Sequence, residues 1–149
     1  MFLDKLCKTN PNLIQIAVHM HQQKQILPDT YVVDVDRFLE NAKVILQKAN
    51  EQNIELYYML KQIGRNPYLA KELEKIGYKG AVVVDFKEAE VMMKNRLHIA
   101  HAGHLVQIPS MMINQLVAYG CDYITVYSYE KLVEVNEAAK KIGMIQKVC

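Results

Sequence analysis

After residue 30 the chain repeats one pattern: a short apolar, β-branched run, a polar turn, a stretch of helical length with one apolar face, and a stop signal. That alternation is the mark of βαβ units and a parallel sheet. The first predicted strand is Thr30–Asp34, and Asp36 can cap a helix whose Phe38, Ala42, Ile45, Leu46 and Ala49 recur at helical spacing. A second strand is predicted at 54–60, after which Asn66 offers an N-cap, Pro67 suits the first helical position and Gly77 closes the turn. The third strand is 81–84, with Asp85 and Glu88 spaced as a capping box. A fourth, 97–102, leads past Gly103 to a helix between Pro109 and Gly120. The fifth, 123–127, precedes a helix capped by Ser128 and stopped by Gly143. A sixth begins at 145–149 and is not followed by a helix. Parallel strands need cover on both faces, so this unfinished unit predicts truncation.

Before residue 30, Asn10 and Pro11 read as the cap and first turn of an amphipathic helix reaching about Gln25. It is expected to pack beside the barrel described below or to plug its lower end. His19 and His21 lie two apart on that helix, which points them away from each other and argues against a shared metal.

Composition narrows the function classes. The 149 residues are 51% apolar and 23% charged, an ordinary globular balance for a single domain. Lys plus Arg (18) nearly equals Asp plus Glu (16), and the basic residues are scattered, so no phosphate-neutralising stripe marks a nucleic-acid partner. No apolar run approaches the roughly 18 residues of a membrane span. Cys7, Cys121 and Cys149 are odd in number and widely spaced, which predicts free thiols in a reducing cytoplasm.

In parallel α/β proteins, function gathers at the C-terminal ends of the strands. That selects Asp34 and Asp36, the stretch from Lys61 to Asn66, Asp85, the stretch from His101 to His104, and Tyr127 with Ser128. Strand alternation puts Lys61 on the face of Tyr57 and Met59, opposite Tyr58 and Leu60. At the inner rim of a barrel, desolvation would favour its free, nucleophilic amine; otherwise Lys61 simply ends a strand and reaches water. Asp34, Asp85 and Ser128 are explained by capping. His98, His101 and His104 suggest a metal, but alternation sends His98 and His101 to opposite sides, so no metal site is expected. The methionines at 92, 93, 111 and 112 are expected to fill core.

The stretch Tyr57-Tyr-Met-Leu-Lys-Gln-Ile-Gly-Arg-Asn-Pro67, preceded by Tyr31-Val-Val-Asp-Val-Asp-Arg-Phe-Leu-Glu-Asn41, resembles the N-terminal half of the alanine racemase-like, fold-type III pyridoxal-phosphate barrels, and so does the later run from Gly120 to Leu132. The branch it is most similar to is the YhfX-type group of amino-acid racemases. The resemblance implies an α/β chain forming part of a (β/α)8 TIM-type barrel with parallel strands. About five βα units would be complete, with an N-terminal helical segment at 1–29, the barrel part at 30–149 and a truncated sixth strand. It implies pyridoxal 5'-phosphate as cofactor, Lys61 as the Schiff-base lysine and one of two proton carriers, and a small amino acid as substrate. A homodimer is implied for full-length members. His101 or His104 would then stand at the mouth near the cofactor; read without the family, one is a core histidine and the other a loop residue. Alanine racemase has a tyrosine four residues after the lysine, near the phosphate, where this chain has Arg65; an arginine can bind the same anion. The competing readings are a non-catalytic five-stranded doubly wound domain that binds a ligand or partner, and an inactive remnant.

Overall fold

In the computed structural model, which describes residues 2–149, helices start where a side chain can accept the unpaired amide protons of a first turn. The chain divides into two units, residues 1–41 and 42–149. In the first, α1 (Phe2–Thr9) and α2 (Pro11–Gln22) are followed by a stretch without regular structure and by the start of α3 (Val35–Glu51). Asn10 Oδ1 accepts the Leu13 amide at 3.3 Å to cap α2, while its Nδ2 donates to Asp34 Oδ2 at 2.6 Å. Asp34 Oδ1 in turn accepts the Arg37 amide at 3.1 Å, so one carboxylate caps α3 and ties that cap to the previous one. The cap of α3 is therefore Asp34 and not Asp36, which lies inside the helix. The Arg37 amide, followed by the Asn10 side chain, holds the Asp34 carboxyl below the usual aspartate value. Helix α2 ends at Gln22, short of the expected Gln25, and buries none of its residues.

The expected strand at 30–34 does not form. It makes no β-bridge among the described residues, and β-branched residues alone cannot satisfy backbone amides without a ladder. Tyr31 is accordingly exposed.

In the second unit the segment 54–60 makes one parallel bridge, Tyr58 to Ala81, instead of a strand. Its bonds are Tyr58 N–H to Gly80 O at 3.0 Å and Val82 N–H to Tyr58 O at 2.8 Å. A 3-10 turn (Lys61–Ile63) and α4 (Pro67–Ile76) follow, then β1 (Ala81–Val83), α5 (Phe86–Lys94), β2 (Ile99–Ala102) and α6 (Ser110–Tyr119). The unit ends with β3 (Tyr123–Ile124), α7 (Tyr129–Lys141) and β4 (Lys147–Val148). Asn66, Asp85 and Ser128 cap α4, α5 and α7 through their side chains, as their positions predict. Four strands form where six were expected, each two to four residues long.

All neighbouring strands are parallel, in the order β1-β2-β3-β4. Each strand lies beside its predecessor, and the bridge at Tyr58 continues the same order on the other edge. With right-handed crossovers, a sheet that always advances in one direction puts every helix on one face. The register shows both faces. Val83, Ala102 and Ile124 form a fully buried row, whereas the row of Val82, His101, Tyr123 and Lys147 is half-buried to exposed. Lys147 Nζ lies 5.3 Å from the Tyr123 ring on that open side. A doubly wound sheet reverses its strand order at a switch point and has helices on both faces. This sheet does neither, which removes the doubly wound reading and leaves the single winding of a barrel wall.

No helix among the described residues is long and apolar enough to cross a membrane. Met92 is core, as expected, but Met111 is 87% exposed, because α6 turns Ile113, Leu116 and Val117 inward instead.

Candidate active site

Burial alternates along the approach to Lys61: Tyr57 and Met59 are exposed, while Tyr58 and Leu60 are buried at 5% and 3% exposure. The buried pair is pinned. Tyr58 donates its hydroxyl to Glu74 Oε1 at 2.7 Å, and burial together with that bond pushes the phenol well above its ordinary value. Lys61 opens the 3-10 turn on the exposed side, and its Nζ makes no hydrogen bond or ion pair among the described residues. Lys61 is thus presented as an unengaged amine at the C-terminal end of the segment. Lys61 is exposed, so the covered position expected at the inner rim of a barrel is not formed within this sheet.

The turn is closed by backbone. Gly64 and Arg65 both adopt left-handed conformations, at φ of 74° and 56°. This lets the Arg65 amide return to Leu60 O at 3.0 Å. Glycine carries that conformation without strain, whereas arginine does so at a cost and needs a reason to stay. Asp85 supplies one. Its Oδ2 accepts from Arg65 Nη2 at 3.1 Å, and its Oδ1 accepts the Glu88 amide at 2.8 Å as the cap of α5. The Lys61 turn is therefore fastened to the end of β1.

Glu88 departs from the expected capping box. Its Oε2 accepts the Val84 amide at 2.7 Å instead of the Asp85 amide, and its side chain is 1% exposed. Burial raises its carboxyl above the usual glutamate value, against the Val84 hydrogen bond and the Arg65 cation. Two buried polar atoms in this cluster have no partner among the described residues: Glu88 Oε1 and Arg65 Nε.

His101 and His104 form a second group. Their rings meet edge to face with centroids 5.5 Å apart. His101 Nε2 lies 2.5 Å from Thr125 Oγ1 and 3.6 Å from Cys149 Sγ, on the open face across β2, β3 and the end of β4. Burial, then the neighbouring His104, lowers the His101 imidazole below its ordinary value. Tyr127 donates its hydroxyl to the carbonyls of Gly103 and His104, at 3.2 and 2.7 Å, which anchors this loop. His98 is elsewhere, with Nε2 at 2.8 Å from Asp122 Oδ2. Among the described residues no cluster of three or more His, Cys, Asp or Glu side chains is arranged for a metal ion, and no hydrogen bond or ion pair joins the histidines to the Lys61–Arg65 turn.

Thr125 and Glu88 were not singled out as site residues from sequence. Thr125 carries no signal in the sequence, since it reaches His101 only because it follows two residues after Tyr123, the strand partner of His101; for Glu88 the Asp85-Glu88 spacing announces a cap but not a buried acid.

Residues 33–149 match the family described as alanine racemase, N-terminal domain. The chain belongs to that family, within the fold-type III pyridoxal-phosphate enzymes. The Escherichia coli (strain K12) protein described as uncharacterized protein YhfX is 49% identical to it over 148 residues, which is 99% of this chain and 38% of that protein. This chain therefore spans well under half the length of that relative. The D-threonine aldolase from Filomicrobium marinum shares the fold, with a TM-score of 0.66 at 19% identity over 78% of this chain and 32% of that one.

The donors at the turn fit the family's cofactor. An aldehyde-bearing phosphate ester needs an amine and a nearby cation, and the turn offers the unengaged Lys61 amine and the Arg65 guanidinium with an orphaned Nε.

Proposed function

We propose that this chain forms the lysine-bearing wall of a pyridoxal-phosphate site that racemises a small amino acid. The observation that supports this most directly is the placement of Lys61. It stands unengaged at the end of the 54–60 segment, on the open face of a sheet whose strand order advances without a switch. Lys61 would hold the cofactor through its amine, and Arg65 would face the phosphate. When bound, the cofactor supplies an electron sink for the substrate's Cα bond.

The chain's own residues do the rest. Lys61 Nζ would carry a proton to or from one face of the substrate, which an amine on a flexible four-carbon stem can do from a turn fixed at both ends. The Leu60 carbonyl and Asp85 fix those ends, through the Arg65 amide and guanidinium. His101, whose imidazole burial holds below its ordinary value, stands on the open sheet face with the His104 ring against it, and the two would offer polar groups to substrate. The second proton carrier that racemisation requires would lie outside these residues, this chain spanning 38% of the length of its YhfX relative.

Titration of the purified chain with pyridoxal phosphate tests the proposal. A saturable visible band is expected for the wild type and not for Lys61→Ala; equal spectra for the two would overturn it.

A further inference from the structure

Glu88 is the one glutamate among the described residues that is fully buried, and neither hydrogen bonding nor packing explains why it is an acid. A glutamine would accept the Val84 amide equally well, and an acid whose second oxygen finds no partner is costly where it lies. The charged groups that face it are Arg65 and Lys61 on the turn and Asp85 at the cap of α5. Glu88 also shares structure with them: its amide is held by Asp85 Oδ1, Asp85 Oδ2 holds Arg65, and the Arg65 amide closes the turn that begins at Lys61. The Glu88 backbone is thus joined through Asp85 and Arg65 to the turn that opens at Lys61, and its buried carboxyl feels the charge of both cations of that turn.

We propose that Glu88 is a positioning residue for Lys61, a buried acid whose proton sets the charge of the Lys61 turn. With Glu88 neutral, the cluster holds the two cations Lys61 and Arg65 against the single carboxylate of Asp85, an excess of positive charge suited to an anionic ligand. With Glu88 ionised, the charges balance and the Lys61 ammonium is held more firmly, so the amine is less available. This deepens the proposed function and rests on it for its meaning. The physical claim, a coupling between the Glu88 proton and the Lys61 amine, stands apart from any cofactor.

The test therefore uses no cofactor. Formaldehyde with cyanoborohydride methylates exposed amines, and peptide mapping gives the rate at Lys61 relative to Lys43, which is exposed and has no ion pair among the described residues, as a function of pH. In the wild type this ratio is expected to fall by about threefold as pH rises through the carboxyl's range, and in Glu88→Gln to stay level. A ratio that follows the same course in both proteins, or that is level in the wild type, overturns the proposal. A purely structural Glu88 would leave the pH course unchanged.

Coupling is reciprocal, which provides a second measurement that does not require the Glu88 variant to fold. Lys61 is exposed, so Lys61→Met should fold, and carbon-13 NMR of the Glu88 carboxyl is expected to show a higher titration midpoint in it than in the wild type. An unchanged midpoint overturns the proposal. If pyridoxal phosphate labels Lys61 without selectivity while this coupling is observed, the proposed function fails and the present inference survives.

Discussion

Arg65 Nη2 lies 3.1 Å from Asp85 Oδ2, and this pair joins the turn that carries Lys61 to the N-cap of α5. Both side chains are partly buried, at 31% and 24% exposure, so the pair is screened less than a surface bridge. Asp85 also caps a helix, so it has two functions that substitution can separate. Asp85→Asn retains an oxygen for the Glu88 amide and loses the charge facing Arg65. Asp85→Ala loses both, and is expected to cost about 1 kcal/mol more in urea unfolding than the asparagine variant, the typical worth of an N-cap. Equal losses in the two variants would show that the cap contributes nothing.

Glu88 gives a pH dependence whose sign follows from burial. Its folded carboxyl is raised above the ordinary value of 4.5, so the fold prefers the neutral acid. The stability this contributes is complete below the unfolded value and is lost as pH rises through the folded one. Glu88→Gln, neutral at every pH, is therefore expected to gain on the wild type as pH rises above the unfolded value of 4.5, read as the difference in urea midpoint. A difference that does not change with pH would contradict the assignment.

His101 behaves in the opposite sense. Burial and the adjacent His104 depress its imidazole below 6.5, so the folded protein favours the neutral ring. The stability it adds is present above the unfolded value and is lost as pH falls through the folded one. Residue-resolved NMR titration is expected to place the His101 midpoint below that of a model imidazole; a midpoint at or above it would show that the Thr125 contact, and not burial, governs the ring.

The three thiols differ by environment. Cys121 is 5% exposed and its thiol is pushed up to about 12 by burial, while Cys7 and Cys149 are exposed. Iodoacetamide is expected to modify Cys7 and Cys149 in the native protein and Cys121 only when unfolding exposes it, as followed by peptide mass. Modification of Cys121 at the rate of the other two would mean that α6 and β3 open readily.

Local chemistry was legible in the sequence, and pairing was not. Asn66, Pro67 and Gly77 bound α4 where their capping and turn preferences place them, and Ser128 does the same for α7. Thr30–Asp34 reads as a strand because its residues are β-branched and apolar, yet a strand also needs a neighbour, and that information is held elsewhere in the chain. The segment 54–60 has a neighbour only at Tyr58. The alternation that sets Lys61 on the face of Tyr57 and Met59 was readable, because period-two patterning is a property of the segment itself. The same kind of pattern could not tell that Glu88 turns inward to Val84 or that Lys131, 6% exposed, is met by Ser110 and Glu134, since both depend on how a helix seats on its neighbours.

The role proposed for Lys61 as the cofactor lysine is addressed directly by one measurement. The purified chain is incubated with pyridoxal phosphate and reduced with borohydride, and the modified peptides are identified by mass spectrometry. The account predicts one dominant phosphopyridoxyl adduct, on Lys61, which disappears in Lys61→Ala, a variant whose stability should lie within about 0.5 kcal/mol of the wild type because the side chain is exposed. Adducts spread over the exposed lysines, with Lys61 no more modified than Lys48 or Lys140, would contradict it.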